Sequence, residues 1–240
     1  MEAQPTNCVF SVPSGKLLGF IISNRGIEAN LEKVTAITQM GPPAGIKDIQ
    51  KLTGCMAALN MFISRLGERS LPFFKLLKGQ EKFKWTEEAN AALEDLKHHL
   101  ESPPILTTPA EGENLLLYIA ATTHVVSTAI ILERPQEGHT YPVQRPVYYI
   151  SEVSDSKVRY PAVQKLLYAI LMTSRKLQHY FEAYQVSVVI EFPLADILHN
   201  SEATGRISKW ATKLGALHLD FKPRTAIKSY CLVDFMTEWR

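Results

Sequence analysis

The side chains that could do chemistry in this 240-residue chain are scattered rather than gathered. His98 and His99 are adjacent, which on a helix points them apart, and His124, His139, His179, His199 and His218 show no metal-ligand spacing. Cys8, Cys55 and Cys231 are distant, odd in number and form no Cys-x-x-Cys pair. That argues against a disulfide framework or a thiolate zinc site and for reduced thiols in an intracellular protein. Asp196 and Ser201 have no paired base, no Asp-Asp pair occurs, and neither a Gly-x-Ser-x-Gly elbow nor a Walker-type loop is present. Positive charge is what clusters. Arg65, Arg69, Lys75, Lys78, Lys82 and Lys84 stand against only Glu68 and Glu81, with Phe73, Phe74 and Phe83 among them. Cations interleaved with aromatics suit a nucleic-acid backbone, although a solvated helix face with buried Phe anchors reads the same way. Downstream, Arg206, Lys209, Lys213, Lys222, Arg224 and Lys228 face only Asp220. Arg206, Lys209 and Lys213 step by three and four residues, so they share one helix face beside Trp210. Such a face can follow a duplex phosphate backbone, or be a solvated surface around an anchored Trp. The net charge is only +2, so a nucleic-acid surface has to come from these clusters.

The elements that must position these groups follow from periodicity and punctuation. Hydrophobic residues make up 46% and charged residues 21%, ordinary globular usage, and the length allows one or two domains. No basic leader precedes an apolar run, and the longest apolar stretch, Leu115 to Ala121, is too short to span a bilayer; no membrane association is expected. Residues 8–27, with Gly15, Gly19 and Gly26, read as a hairpin or sheet remnant, close enough to the start to suggest truncation. Asn30 caps a first helix that ends before Gly41-Pro42-Pro43. A second helix runs from about Gly45 to Ile63, with Ile46, Ile49, Leu52, Met56, Leu59 and Ile63 as one apolar stripe. A third starts at Thr86 and stops before Pro103-Pro104, and the proline-rich segment 102–114 is a domain boundary. Beyond it, strands are expected at 115–121, 125–133 and 145–151, and then a helix with Pro161 in its first turn. A strand at 186–192, short helices near 194–199 and 206–214, a strand at 217–222 and a last helix from Ser229 follow. The order β-β-β-α-β-α-α-β-α is close to the ribonuclease H-like fold, in which three antiparallel strands lead into parallel strands flanked by helices.

Particular residues carry the resemblance further. Leu18-Gly19-Phe20-Ile21-Ile22-Ser23-Asn24-Arg25-Gly26-Ile27 resembles the segment closing the palm of gypsy-type retrotransposon reverse transcriptases. Pro42-Pro43 with Ile46 to Gly54, Phe62-Ile63-Ser64-Arg65, a Leu71-Pro72 docking turn, and Phe83-Lys84-Trp85-Thr86-Glu87-Glu88 are similar to the elements that follow there. The ordered series runs from about Cys8 to Trp239. Arg145-Pro146-Val147-Tyr148-Tyr149 and Pro223 to Ser229 look most like plant members.

The resemblance implies two chemistries, and in both the chain departs from the pattern. The family's polymerase centre, a Tyr-x-Asp-Asp turn, has no counterpart in this sequence. Its ribonuclease H holds two divalent cations about 4 Å apart on an Asp-Glu-Asp-Asp set. The first Asp belongs to Tyr-x-Asp-Ala-Ser, matched by Tyr118-Ile119-Ala120-Ala121-Thr122, so Ala120 stands at the position that bridges both metals. The helical Glu falls within Tyr160 to Ala169, where Gln164 and Leu166 occupy the acidic positions. The third and fourth acids fall on Glu191 and Asp234, which could hold at most one weak cation. Glu152 and Asp155 have no matching ligand and read as a solvated loop.

The resulting expectation is an α+β and α/β chain in two parts. Residues 8–102 resemble the end of a palm with thumb-like helices, and residues 113–240 a degenerate RNase H-like mixed sheet flanked by helices. No cofactor is expected, and Mg²⁺ only if residual nuclease activity exists. The implied role is a structural or RNA–DNA duplex-binding fragment, a spacer and cradle beside the remainder of the Pol polyprotein. Arg65, Arg69, Lys75, Lys78, Arg206, Lys209, Lys213, Arg224 and Lys228 are the contacts expected to serve it. The alternatives are an active RNase H-type endonuclease with atypical carboxylates and a host-domesticated protein-interaction domain.

Overall fold

The computed structural model describes residues 14–17, 19–78, 83–153, 157–199 and 205–224. The first sheet is an antiparallel meander of β1 (Ser14–Leu17), β2 (Phe20–Ser23) and β3 (Gly26–Glu28). Gly26 has φ +132°, and a Cβ there would lie 2.3 Å from the Leu106 carbonyl oxygen. Only glycine lets the chain approach so closely that Ile27 and Leu106 exchange two backbone hydrogen bonds of 2.9 Å.

The helices begin where the capping residues put them. Asn30 Oδ1 accepts from the Glu32 amide (2.9 Å) to start α1 (Leu31–Thr38). The expected long second helix is broken: α2 (Ile46–Ala58) gives way to a 3-10 turn at Asn60–Phe62. Its stripe still faces the core, except Ile46 in the first turn, which is exposed. In α3 (Leu66–Leu77), Pro72 is inside the helix, so Leu71-Pro72 is not the docking turn expected from the family pattern. Proline there removes one amide donor, and packing of Phe73 and Leu76, both buried, compensates. Thr86 caps α4 (Glu87–Glu101) by accepting from the Ala89 amide at 3.2 Å.

The second sheet contains β4 (Leu115–Ala121), β5 (Val125–Arg134), β6 (Val143–Val153), β7 (Val186–Val189) and β8 (Leu219–Lys222). Their spatial order is β6-β5-β4-β7-β8, with β4–β6 antiparallel, β7 parallel to β4 and β8 parallel to β7. This is the expected mixed topology. Between strands lie α5 (Ala162–Lys176), α6 (Gln178–Ala183), α7 (Leu194–His199) and α8 (Gly205–Gly215). Helix α6 is an element the sequence reading did not separate, and Pro161 is the N-cap of α5 rather than part of its first turn. The helix expected from Ser229 lies outside the described residues.

Strand alternation on β4 divides the core in two. Leu115, Leu117 and Ile119 pack with α5, α6 and the apolar side of α8. Leu116, Tyr118 and Ala120 join Phe62, Phe73, Leu93 and Leu100 of the helical half. The segment 102–114 separates the two halves along the chain, yet their apolar interiors are continuous across this sheet face. Arg134 pins that segment by donating to Glu113 at 2.6 and 2.7 Å and to the Thr108 carbonyl at 2.9 Å.

Candidate nucleic-acid interface and the carboxylate positions

The residues at the family's carboxylate positions do not converge into an acidic site. Ala120 is 2% exposed on the face turned to the helical half. In register it pairs with Ser127, which pairs with Ser151. Those two hydroxyls are 2.6 Å apart, and Ser151 Oγ accepts from the Gly67 amide (2.8 Å) at the start of α3. Leu166 is buried on the opposite face of the sheet, and Gln164 is half-buried two residues earlier on the same helix. Glu191, just past β7, is exposed and lies 3.8 Å from Arg224, just past β8. Asp234 lies outside the described residues. Among the described residues, no three His, Cys, Asp or Glu side chains gather closely enough to hold a metal ion, and Ala120 offers no ligand. The residues in view therefore do not fit a two-metal centre.

Glu152 differs from its sequence reading. It lies within β6, because that strand continues to pair through Val125–Val153, rather than in a solvated loop. Its carboxylate accepts from Tyr168 Oη at 2.5 Å and lies 3.1 Å from Lys176 Nζ. Burial raises its pKa, but the Tyr168 and Lys176 bonds outweigh it and hold the group below the usual carboxylate range; burial and the Glu152 charge push the Tyr168 phenol up. Asp155 lies outside the described residues.

The basic residues fall into two groups with different commitments. Arg65 takes a left-handed conformation (φ +54°), and its guanidinium binds Glu68 in the first turn of α3. Arg69 bonds Asp95 and the Ser64 carbonyl, and only 9% of its side chain is exposed. Arg65 thus pins the first turn of α3, and Arg69 pins α3 to α4. Lys75 and Lys78 are exposed, Lys75 in a 2.7 Å surface pair with Glu88.

On α8, Arg206, Lys209 and Lys213 all face solvent on one side. The other side is anchored: Ile207, Trp210 and Leu214 pack into the core, and Trp210 sits 6.1 Å from the rings of both Tyr160 and Tyr168. Arg206 lies 4.4 Å over the Tyr160 ring, and Lys157 lies 4.2 Å over Tyr168. Lys228 lies outside the described residues. The sequence reading missed Lys165, whose ammonium donates to the Thr122 and Thr123 carbonyls at 3.1 Å and ties α5 to the end of β4. The only signal for it was its place between Gln164 and Leu166.

With this topology in view, the comparisons with known proteins are decisive for one part of the chain. The family described as "RNase H-like domain found in reverse transcriptase" matches residues 85–188. Those residues are similar to an RNase H-like domain of the reverse-transcriptase type. The match begins at Trp85, so it includes α4, a helix of the thumb-like half in the sequence reading. The Transposon Tf2-3 and Tf2-4 polyproteins of Schizosaccharomyces pombe are each 27% identical over 176 residues, 73% of this chain. The chain spans 13% of the length of these relatives. In three dimensions it is similar to a foamy viral protease-reverse transcriptase, described as dRH in complex with double-stranded DNA. The TM-score is 0.71 at 18% identity, over 90% of this chain and 38% of that one. A second foamy viral protease-reverse transcriptase structure, in complex with an RNA/DNA hybrid, gives the same TM-score and identity, over 90% of this chain and 30% of the other. The chain thus shares its fold with the foamy viral proteins and is similar in sequence to retrotransposon polyproteins. No helix among the described residues is long and apolar enough to cross a membrane.

Proposed function

We propose that this chain is a catalytically silent reverse transcriptase/RNase H-like segment that binds RNA–DNA hybrid or another duplex. The observation that carries it is a contrast within the RNase H-like domain. Ala120, where the family pattern has its bridging Asp, is an apolar methyl buried in the core, while Arg206, Lys209 and Lys213 stand together in solvent. The anchored rings of Trp210, Tyr160 and Tyr168 hold α8 in place, so its cations are presented by a rigid element. Binding of DNA and hybrid by the foamy viral proteins supports the same reading for a chain sharing their fold. Within it, the duplex contacts reduce to Arg206, Lys209 and Lys213, and Arg65 and Arg69 serve folding.

The motif series from Leu18 to Glu88 supports a gypsy-type origin, and the Arg145–Tyr149 and Pro223–Ser229 segments support a plant one. The remainder of a Pol polyprotein is the partner this role implies, inside the cell. No cofactor takes part; Mg²⁺ bound through Glu191 and Asp234 would matter only with residual hydrolysis.

The test is incubation of the chain with labelled RNA–DNA hybrid in Mg²⁺ and in Mn²⁺, reading cleavage and band retention on one gel. Retention of intact hybrid, weakened by Arg206→Glu/Lys209→Glu/Lys213→Glu, is the expected result. Cleavage abolished by Glu191→Ala or Asp234→Ala would revive the nuclease, and absence of retention would leave a protein-interaction role.

A further inference from the structure

A groove runs between α3 and the end of the second sheet, in two chambers that share Phe74 and Val153. The inner chamber, about 260 Å³, is walled by Met56, Ala57 and Leu66, with Glu152 at its margin. The outer one, about 460 Å³, is bordered by Lys75, Lys78 and His124, and its volume falls in the range of small-ligand sites, roughly 300–1,000 Å³. Phe74 is 38% exposed between them, although the preceding residue on the helix, Phe73, is fully buried. A large aromatic left at a chamber mouth and flanked by lysines is the composition of a stacking platform beside a phosphate track.

We infer that this groove holds an unpaired nucleic-acid strand, with a base stacked on Phe74 and the adjoining phosphates on Lys75 and Lys78. The direction of entry follows from the lining. The inner chamber is walled mainly by apolar side chains, whereas Lys75 and Lys78 border the outer one, so the base goes in and the backbone stays at the lysine rim. The Lys75–Glu88 pair is exposed on both sides, so a phosphate displaces it at little cost. The inner hydroxyls read little: Thr53 donates to the Ile49 and Gln50 carbonyls and Ser70 to the Gly67 carbonyl. Binding is therefore tolerant of base identity. A paired duplex turns its bases inward and has nothing to offer Phe74, which separates this site from the α8 face. The inference shares with the proposed function only the premise that the chain handles nucleic acid.

Fluorescence anisotropy of the full chain with two labelled probes, a short oligo-dT strand and a blunt RNA–DNA hybrid, tests it. Phe74→Ala is expected to weaken strand binding roughly 5-fold or more, the low end for one base stacked on an aromatic, and to leave the hybrid unchanged. Phe74→Tyr is expected to retain strand binding, and Lys75→Glu/Lys78→Glu to reduce it independently of any packing effect at Phe74. The Arg206→Glu/Lys209→Glu/Lys213→Glu variant is expected to lose the hybrid and keep the strand. A wild-type chain that ignores the strand, or Phe74 and lysine variants that bind it normally, overturns the groove. Strand binding without hybrid binding leaves the groove standing and removes the duplex reading.

Discussion

Ala120 packs with Tyr118, Leu116 and the helical half, in a row whose polar groups, Ser127 and Ser151, are bonded to each other and to the Gly67 amide. An Asp at 120 would be a charge buried among apolar side chains, and Leu166 lies across the sheet from it. We therefore expect Ala120→Asp, alone or with Leu166→Glu, to restore no hybrid cleavage in Mg²⁺ and to cost about 3 kcal/mol or more of stability, read by urea unfolding. A second residue-scale prediction concerns Glu113. The Arg134 guanidinium, helped by the Ala110 amide, lowers its pKa from 4.5 to about 2. A depressed carboxyl contributes stability that is complete above its unfolded pKa and is lost as pH falls through the folded one. Glu113→Gln should accordingly flatten the loss of stability between about pH 4.5 and 2 in urea titrations, and leave the steepness near neutrality unchanged.

At the scale of elements, α3 is the joint of the molecule. Its first turn meets the sheet so closely that a Cβ on Gly67 would fall 2.7 Å from both Ser151 Oγ and Val125 Cγ1. Gly67→Ala should push the helix off the sheet and cost about 2 kcal/mol in thermal or urea unfolding, the range of an overpacked core. Ser151→Ala should recover only part of this, because the Val125 contact remains. Much of this scale was legible in the residues: the Asn30 and Thr86 caps, the stripe on α2, the meander from β4 to β6 and the parallel β7 and β8. The misses have physical causes. The helix after Gly45 breaks at Leu59 because the chain must turn to bring Phe62 and Ile63, both fully buried, into the core. The Leu71-Pro72 pair falls inside a helix because burial of Phe73 and Leu76 outweighs one missing hydrogen bond. Strand β6 runs to Val153 because its partner on β5 starts at Val125, which no local signal announces.

For the whole molecule, a modest net charge of +2 conceals two cationic surfaces, the rim of the α3 groove and the outer face of α8. Duplex binding through α8 should show as a salt dependence. If Arg206, Lys209 and Lys213 each meet one phosphate, replacing all three should lower the slope of log affinity against log salt by roughly 2–3, measured by anisotropy across a salt series. Replacing Arg65 or Arg69 should instead lower stability, since each guanidinium is already bound to a carboxylate within the fold. Composition marked both stretches as basic without telling these cases apart, because a cation aimed at Asp95 and one aimed at solvent are the same letter. The sequence by itself determined the order of the strands in the second sheet and the absence of an acid at 120, since periodicity, caps and residue identity are local properties. Which cations reach solvent, that Glu152 belongs to a strand and a Tyr168–Lys176 network, that Ala120 and Leu166 lie on opposite faces, and that Phe74 opens onto a groove were decided only by the tertiary structure. Each depends on which distant segment packs against the residue, and neither composition nor spacing encodes that contact.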